Sequence, residues 1–224
     1  HITVRLNYTS DIPCNGVQEP KSTQVSGIGL LAVFKTGKET KVGFGSSSNT
    51  ITSQGITEAF DKAKRNKIYD PDFYSLPEPV GKSVLENYHD PAVMEIRDEA
   101  IVDLGWRGLK GAITEYNQKQ FNKSIIIGGD ITILKERMAI ASTKGMNDWD
   151  ESTVLTASIT SMIEMEKVKG TGWNTSTHIS CFSPEEAGRE SAESAIRTRG
   201  GDRISSGTYD VIFGKQPVTD LFAN

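Results

Sequence analysis

The residues best suited to chemistry in this chain are few, and most lie far apart in sequence. His178 and Cys181 form an H-x-x-C pair, the spacing of half a zinc site. Residues 169–180 read as one strand, and on a strand two residues three apart point to opposite faces. The other histidines are His89, in a loop, and His1, at the chain end, so no ligand set assembles and the expectation is no metal site. Cys14 follows Pro13 in a polar loop. A catalytic thiol needs a base or a positive field to lower its pKa, and no histidine has that context here, so Cys14 reads as an ordinary free thiol.

The segments Gly43-Phe44-Gly45-Ser46-Ser47-Ser48 and Gly128-Gly129-Asp130 superficially suggest phosphate loops. Neither matches G-x-x-x-x-G-K-[ST] or G-x-G-x-x-G, and glycines at a strand more often mark a bulge or a close backbone approach. Glu164, Glu166, Glu185 and Glu186 include no pair with an evident acid/base role. Glu185 and Glu186 suit the positive end of a helix dipole. No catalytic residue is assigned. Thr171 and Trp173 share a strand face, with His178 opposite unless a bulge intervenes. The three form one candidate surface, for which the competing reading is Trp173 as ordinary packing.

The elements that must position these groups follow from pattern. Residues 2–8 alternate as a half-buried strand, and residues 9–22, with Pro13, Gly16 and Pro20, read as a loop. Residues 25–34 and 41–47 flank a turn and read as a β-hairpin. Thr52 or Ser53 caps a helix with Ile56, Ala59, Phe60 and Ala63 on one face. Residues 70–80 contain Pro71, Pro77 and Pro79 and form an extended connector. Asp90-Pro91 heads a long helix whose apolar face runs through Ile101, Leu104, Gly105, Leu109, Ala112 and Tyr116. Gly105, Gly108 and Gly111 each cost roughly 1 kcal/mol of helix propensity, which implies a break or, preferably, very close packing. Strands are expected at 124–133, 137–142, 152–166 and 169–180, antiparallel because their connections are short. Ser183-Pro184-Glu185-Glu186 supplies an N-cap, an N1 proline and a capping-box glutamate for a helix to Arg199. Blocks of strands and helices, not alternating βαβ units, indicate an α+β fold with mixed or antiparallel sheets and about three helices.

Composition narrows the function classes. The 224 residues can bury a sizeable core as one large domain or two closely packed ones, with a possible subdivision near 70–90. The net charge of −4 comes with no dense basic patch, which disfavours direct nucleic-acid binding. No apolar run is long enough for a membrane helix and no signal segment opens the chain. Two cysteines far apart suggest no disulfide framework, and a reduced, cytoplasmic setting is expected.

The tail carries one further reading. Residues 208–213 read as a strand, followed by a turn at Gly214 and an apolar segment that stops. In that setting the tail resembles the junction of the TldD/PmbA family, metallopeptidases also called modulators of DNA gyrase. Three earlier stretches support the resemblance. The first is G-I-G-L-L-A-V-F with K-V-G-F-G-S-S-S-N-T and Y-D-P-D-F-Y-S-L-P-E-P; the others are residues 136–145 and 183–207. In the TldD-like branch a helix after the turn carries H-E-x-x-x-H, whereas Leu221, Phe222, Ala223 and Asn224 stand at the comparable positions here. A methyl group cannot bind zinc, so the tail is similar to the motif-less, PmbA-like branch.

The resemblance implies the N-terminal region of a longer chain whose C-terminal domain lies beyond Asn224. It implies a non-catalytic subunit of a peptide-processing metallopeptidase, paired with a TldD-like subunit or with itself, with zinc held by the TldD-like partner. Thr171, Trp173 and His178 then become a peptide or subunit surface. Two alternatives stand beside this: a homo-oligomeric binding or scaffold module without proteolytic role, and a metallopeptidase whose ligands lie beyond Asn224.

Overall fold

The computed structural model describes residues 2–9, 12–37, 39–48, 51–81, 85–119 and 125–222. Its strands are β1 (Ile2–Thr9), β2 (Ile12–Ser22), β3 (Gly27–Thr36), β4 (Glu39–Ser48), β5 (Ile68–Tyr69), β6 (Ile125–Ala141), β7 (Asn147–Ile163) and β8 (Val168–Ser176). Its helices are α1 (Ser53–Arg65), α2 (Pro91–Met94), α3 (Asp98–Gln118), α4 (Pro184–Arg197) and α5 (Lys215–Phe222). The fold is α+β with antiparallel pairing. The chain divides into two compact units. The larger comprises His1–Ser22, Val84–Met138 and Trp149–Asn224, the smaller Thr23–Ser83 and Ala139–Asp148.

The larger unit is built on a sheet of order β2-β1-β6-β7-β8. Period-two alternation in β7 buries Thr153, Leu155, Ala157, Ile159, Ser161 and Ile163 on one face. Leu155, Ala157 and Ile159, with Ile127, Ile131 and Ile133 of β6, pack with Ile101, Leu104, Leu109 and Ala112 of α3 and Ala187 and Ala192 of α4, while Ile163 packs with Tyr116 and Ala195. A fully buried side chain of this kind contributes about 1.5–3 kcal/mol. The apolar face predicted for α3 is the buried one throughout.

Glycine sets the spacing. A Cβ placed on Gly111 of α3 would lie 2.2 Å from the Glu185 carbonyl oxygen, and one on Gly188 of α4 would lie 2.0 Å from that of Gly108. Helix α4 also rests on β8, where a Cβ on Gly170 would lie 2.1 Å from the Ala195 nitrogen and one on Gly172 would lie 2.0 Å from the Ala187 oxygen. Close packing is therefore the reason for Gly108 and Gly111 in α3, which runs unbroken past Gly105, Gly108 and Gly111.

The smaller unit repeats the device. Strands β3 and β4 pair in unbroken register from Gly27↔Ser48 to Thr36↔Glu39, and β5 adds two residues to β4. Thr52 caps α1, its hydroxyl accepting from the Gly55 N–H at 3.3 Å. The helix lies on Gly43 and Gly45, where added Cβ atoms would come within 2.0 and 1.9 Å of the Ala63 and Ala59 oxygens. Gly55, Ala59 and Ala63 form its buried face, while Ile56 and Phe60, expected on that face, are exposed. The narrow buried stripe follows from the glycines: a helix this close to a strand admits only small residues at the contact.

Several expectations change. Residues 12–22 form a strand, not a loop, because β1 offers them an antiparallel partner. Pro20 is tolerated because β2 is an edge strand. The two strands expected at 124–133 and 137–142 are one, β6, with no turn at Lys135-Glu136, and Ser124 lies outside the described residues. The long helix after Asp90 breaks after one turn and restarts at Asp98. Strand β7 ends at Ile163, where a 3-10 turn begins, and β8 ends at Ser176, not 180. The capping box of α4 does not form: the Ser183 side chain makes no cap bond, and its N–H is held by Asn174 Oδ1 at 3.1 Å. Residues 208–213 form no strand. That segment and α5 bury no residue, and Ile212 is 98% exposed.

The glycine contacts yield a stability test. Gly172→Ala should lower the melting temperature sharply, with a loss of about 3 kcal/mol or more because backbone rather than a flexible side chain opposes the methyl. Gly214→Ala, with nothing within 4 Å of the added carbon, should change stability by less than about 0.5 kcal/mol. Paired thermal or urea melts check this, and equal behaviour of the two variants would refute it.

Candidate functional site

Strand β8 carries the candidate surface. Gly170 and Gly172 face α4, so Thr171 and Trp173 point to the other side of the sheet. Thr171 is exposed and Trp173 is half-buried. The Trp173 N–H donates to Glu190 Oε2 of α4 at 3.3 Å. Pairing with β7 places Thr160 opposite Thr171 and Ser158 opposite Trp173. His178 does not join this pair. It follows the strand end and precedes a 3-10 turn, Ile179–Cys181.

His178 belongs instead to a polar network around Asp90. The Asp90 carboxylate caps α2 by accepting from the Ala92 N–H at 2.9 Å, and its second oxygen accepts from the Ile179 N–H at 2.9 Å. The Asp90 N–H donates to the Thr153 hydroxyl at 2.9 Å, which donates to the Thr177 carbonyl at 2.8 Å. The Thr177 hydroxyl donates to the Asn87 carbonyl at 2.6 Å. Its single hydrogen is thereby engaged, so at 3.0 Å it accepts from His178 Nδ1–H, which leaves Nε2 as the basic nitrogen of the neutral ring. His89 Nε2 lies 3.6 Å from Glu151 Oε2, and Glu151 also binds Arg137 at 2.6 Å.

The bonds to Asp90 set its acidity. The Ile179 N–H is the largest influence and lowers the pKa; burial opposes it, and the Ala92 N–H and the charges of His178 and His89 add to the lowering. The net result is a carboxyl below the ordinary aspartate range. Asp90 was legible as a helix cap, but its bond to a residue 89 positions away was not.

The H-x-x-C pair does not straddle a strand. Cys181 is the last residue of the 3-10 turn and is exposed, and its N–H bonds the His178 carbonyl at 3.2 Å. The opposite-face reason for discounting the pair therefore falls, since the strand it assumed ends earlier. Among the described residues no group of three or more His, Cys, Asp or Glu is placed to hold a metal ion. Cys14 falls within β2, not in a loop, and His1, Ala223 and Asn224 lie outside the described residues.

Three of the four acidic residues singled out in the sequence, Glu166, Glu185 and Glu186, have structural partners. Glu185 pairs with Arg107 of α3 at 2.8 Å; burial raises its pKa, and the Arg107 bond and charge outweigh that, leaving it lowered. Glu186 binds Arg189 at 2.8 Å and Glu166 binds Arg199. Arg107, Lys110, Gly111, Glu115, Glu185 and Arg189 line an open groove of about 420 Å³ between α3 and α4. Its charges of both signs are largely paired, which is the arrangement of a solvated helix face. Gly43 to Ser48 and Gly128-Gly129-Asp130 lie in strands and head no helix, so neither forms a phosphate loop.

No protein-family model matches the sequence, and no curated protein matches it. Solved structures do. A protein described as a candidate modulator of a DNA gyrase from Thermotoga maritima matches with a TM-score of 0.63 at 14% identity, over 92% of this chain and 44% of that one. A second such protein, from Bacteroides thetaiotaomicron, matches with a TM-score of 0.62 at 13% identity, over 93% of this chain and 46% of that one. TldE from Thermococcus kodakarensis matches with a TM-score of 0.60 at 15% identity, over 87% of this chain and 42% of that one. This chain has their fold. The resemblance read from the residues thus holds at the level of architecture, and the chain spans less than half the length of each structure. No helix among the described residues is long and apolar enough to cross a membrane.

Two outcomes follow for the Asp90 region. Because the folded carboxyl is held below its unfolded pKa, its contribution is present at neutral pH and fades as pH falls below about 4. Asp90→Asn sets an amide donor against the Ile179 N–H and should cost about 1–3 kcal/mol at pH 7. Its deficit should shrink as melts are repeated toward pH 2, and a deficit independent of pH would contradict the assignment. Second, the purified chain should contain no stoichiometric zinc, and a chelator should leave its melting temperature unchanged. Metal analysis finding one tightly held zinc per chain would reverse this and return attention to His178 and Cys181.

Proposed function

We infer that this chain is the N-terminal region of a PmbA-like subunit in a TldD/PmbA-type peptide-processing system. It is itself non-catalytic and works in the cytoplasm. The observation that carries this reading is the fold shared with TldE over 87% of the chain. The tail supports the motif-less branch, with Leu221 and Phe222 leading into Ala223 and Asn224 where the other branch begins its zinc motif. The chemistry is assigned to a TldD-like partner that holds zinc. In that arrangement the β8 surface at Thr171 and Trp173, with His178 beyond its end, faces peptide or the partner subunit.

The full-length protein, a TldD-like partner and an unfolded peptide provide the test. The mixture should associate on a sizing column and cleave the peptide faster than the partner alone. A mixture that neither associates nor gains activity would overturn the reading. A stable homodimer that ignores both peptide and partner would favour a scaffold module instead.

A further inference from the structure

We propose that the free edge of β8 accepts an extended peptide by strand addition, with Glu190 selecting a basic side chain that projects on the α4 side of the incoming strand, next to the residue paired with Trp173. This deepens the reading of β8 as a peptide surface and rests on it. Strand β8 ends the sheet order, so one of its edges has no neighbouring strand. The Trp173 N–H points to Glu190, away from β7, which fixes the direction of the whole set. By the two-residue period, the amides and carbonyls of Lys169, Thr171 and Thr175 point the same way. Among the described residues none of these three has a backbone partner on that side. A row of unpaired amides on an edge strand is a template for another strand.

Glu190 gives the edge its selectivity. The other carboxylates of α4 are matched with cations: Glu185 with Arg107, Glu186 with Arg189, and Glu193 with Arg189 and Arg197. Glu190 has no cation among the described residues; its bond is to the Trp173 N–H. At 3.3 Å that bond is longer than the usual N–H···O range, so a peptide carbonyl can replace it with little loss. The displaced carboxylate, which is exposed, is then available to a lysine or arginine of the incoming strand. Lys169 stands four residues earlier on the same edge, exposed, about 13 Å away along the strand. The edge therefore presents an anion on the α4 side and a cation, Lys169, on the opposite face. The matching ligand is an extended segment with basic and acidic side chains on opposite faces, an odd number of residues apart.

Fluorescence anisotropy of labelled eight-residue peptides on the 224-residue chain tests this. The three probes are a Thr/Val-rich peptide with Lys and Glu three apart, the same peptide with Lys replaced by Glu, and the first with its strand-facing amides N-methylated. The Lys peptide should bind about fivefold more tightly than its Glu counterpart. Glu190→Gln, which keeps an acceptor for the Trp173 N–H, should remove that preference. N-methylation, or Thr171→Pro on the protein, should abolish binding of every peptide. Equal affinity for Lys and Glu peptides, with N-methylation still abolishing binding, would overturn the role of Glu190 and leave the β8 surface standing. An N-methylated peptide that binds as well as its parent would overturn strand addition and the β8 surface together. Should Thr171→Pro fail to fold by circular dichroism, the N-methylated peptide decides alone.

Discussion

Helix α4 lies directly on glycine backbone, and the larger unit is organised around that contact. With Gly170 and Gly172 beneath it and Gly108 and Gly111 beside it, the helix approaches strand and helix alike without intervening side chains. Its polar groups then fall at fixed places. The Ser191 hydroxyl meets that of Ser161 at 2.7 Å in the interior, Glu185 reaches Arg107, and Glu190 reaches the edge of β8. A bulkier residue at Gly111, Gly170 or Gly172 would press on the backbone of α4 and disturb these partners, because close-packed interiors transmit displacement.

How much of this was legible in the sequence depended on the range of the cause. Local signals were read well: the Thr52 cap, the hairpin of β3 and β4, the apolar stripe of α3 and the proline start of α4 all rest on neighbours within a few residues. Long-range pairing was not. Residues 12–22 have loop composition yet form a strand because β1 lies alongside, and residues 208–213 have strand composition yet find no strand partner among the described residues. Tertiary context overrides β propensity in both directions. The candidate surface divided in the same way. Thr171 and Trp173 were placed on one face by periodicity alone, whereas His178 joined Asp90 through contacts between segments some 89 residues apart. Glu190 was invisible, since only the seating of α4 brings it to the strand.

Such a constraint is compatible with an architecture shared at 13–15% identity with TldE and the two candidate gyrase modulators. What a glycine-spaced contact demands is small size at a handful of positions, and it is indifferent to most of the rest. The fold can therefore be common to proteins whose surfaces, and whose chemistry, have been rewritten. Function must then be sought in the sites: a sheet edge with unpaired amides, a carboxylate without a cation and a tail of exposed apolar residues.

One consequence of the glycine contacts concerns hydrogen atoms. Where a side chain would begin, glycine carries a second Hα. At Gly43, Gly45, Gly111, Gly172 and Gly188 the direction of the absent Cβ runs within 1.9–2.2 Å of a carbonyl oxygen. Each of those hydrogens is therefore aimed at a carbonyl oxygen, the geometry of a Cα–H···O interaction, worth ~0.5–1 kcal/mol. Its recurrence in both units means that the helices are held to their neighbours partly by polarised C–H groups. In the proton spectrum of the folded protein those five glycines would stand apart, one α-proton of each shifted away from its twin.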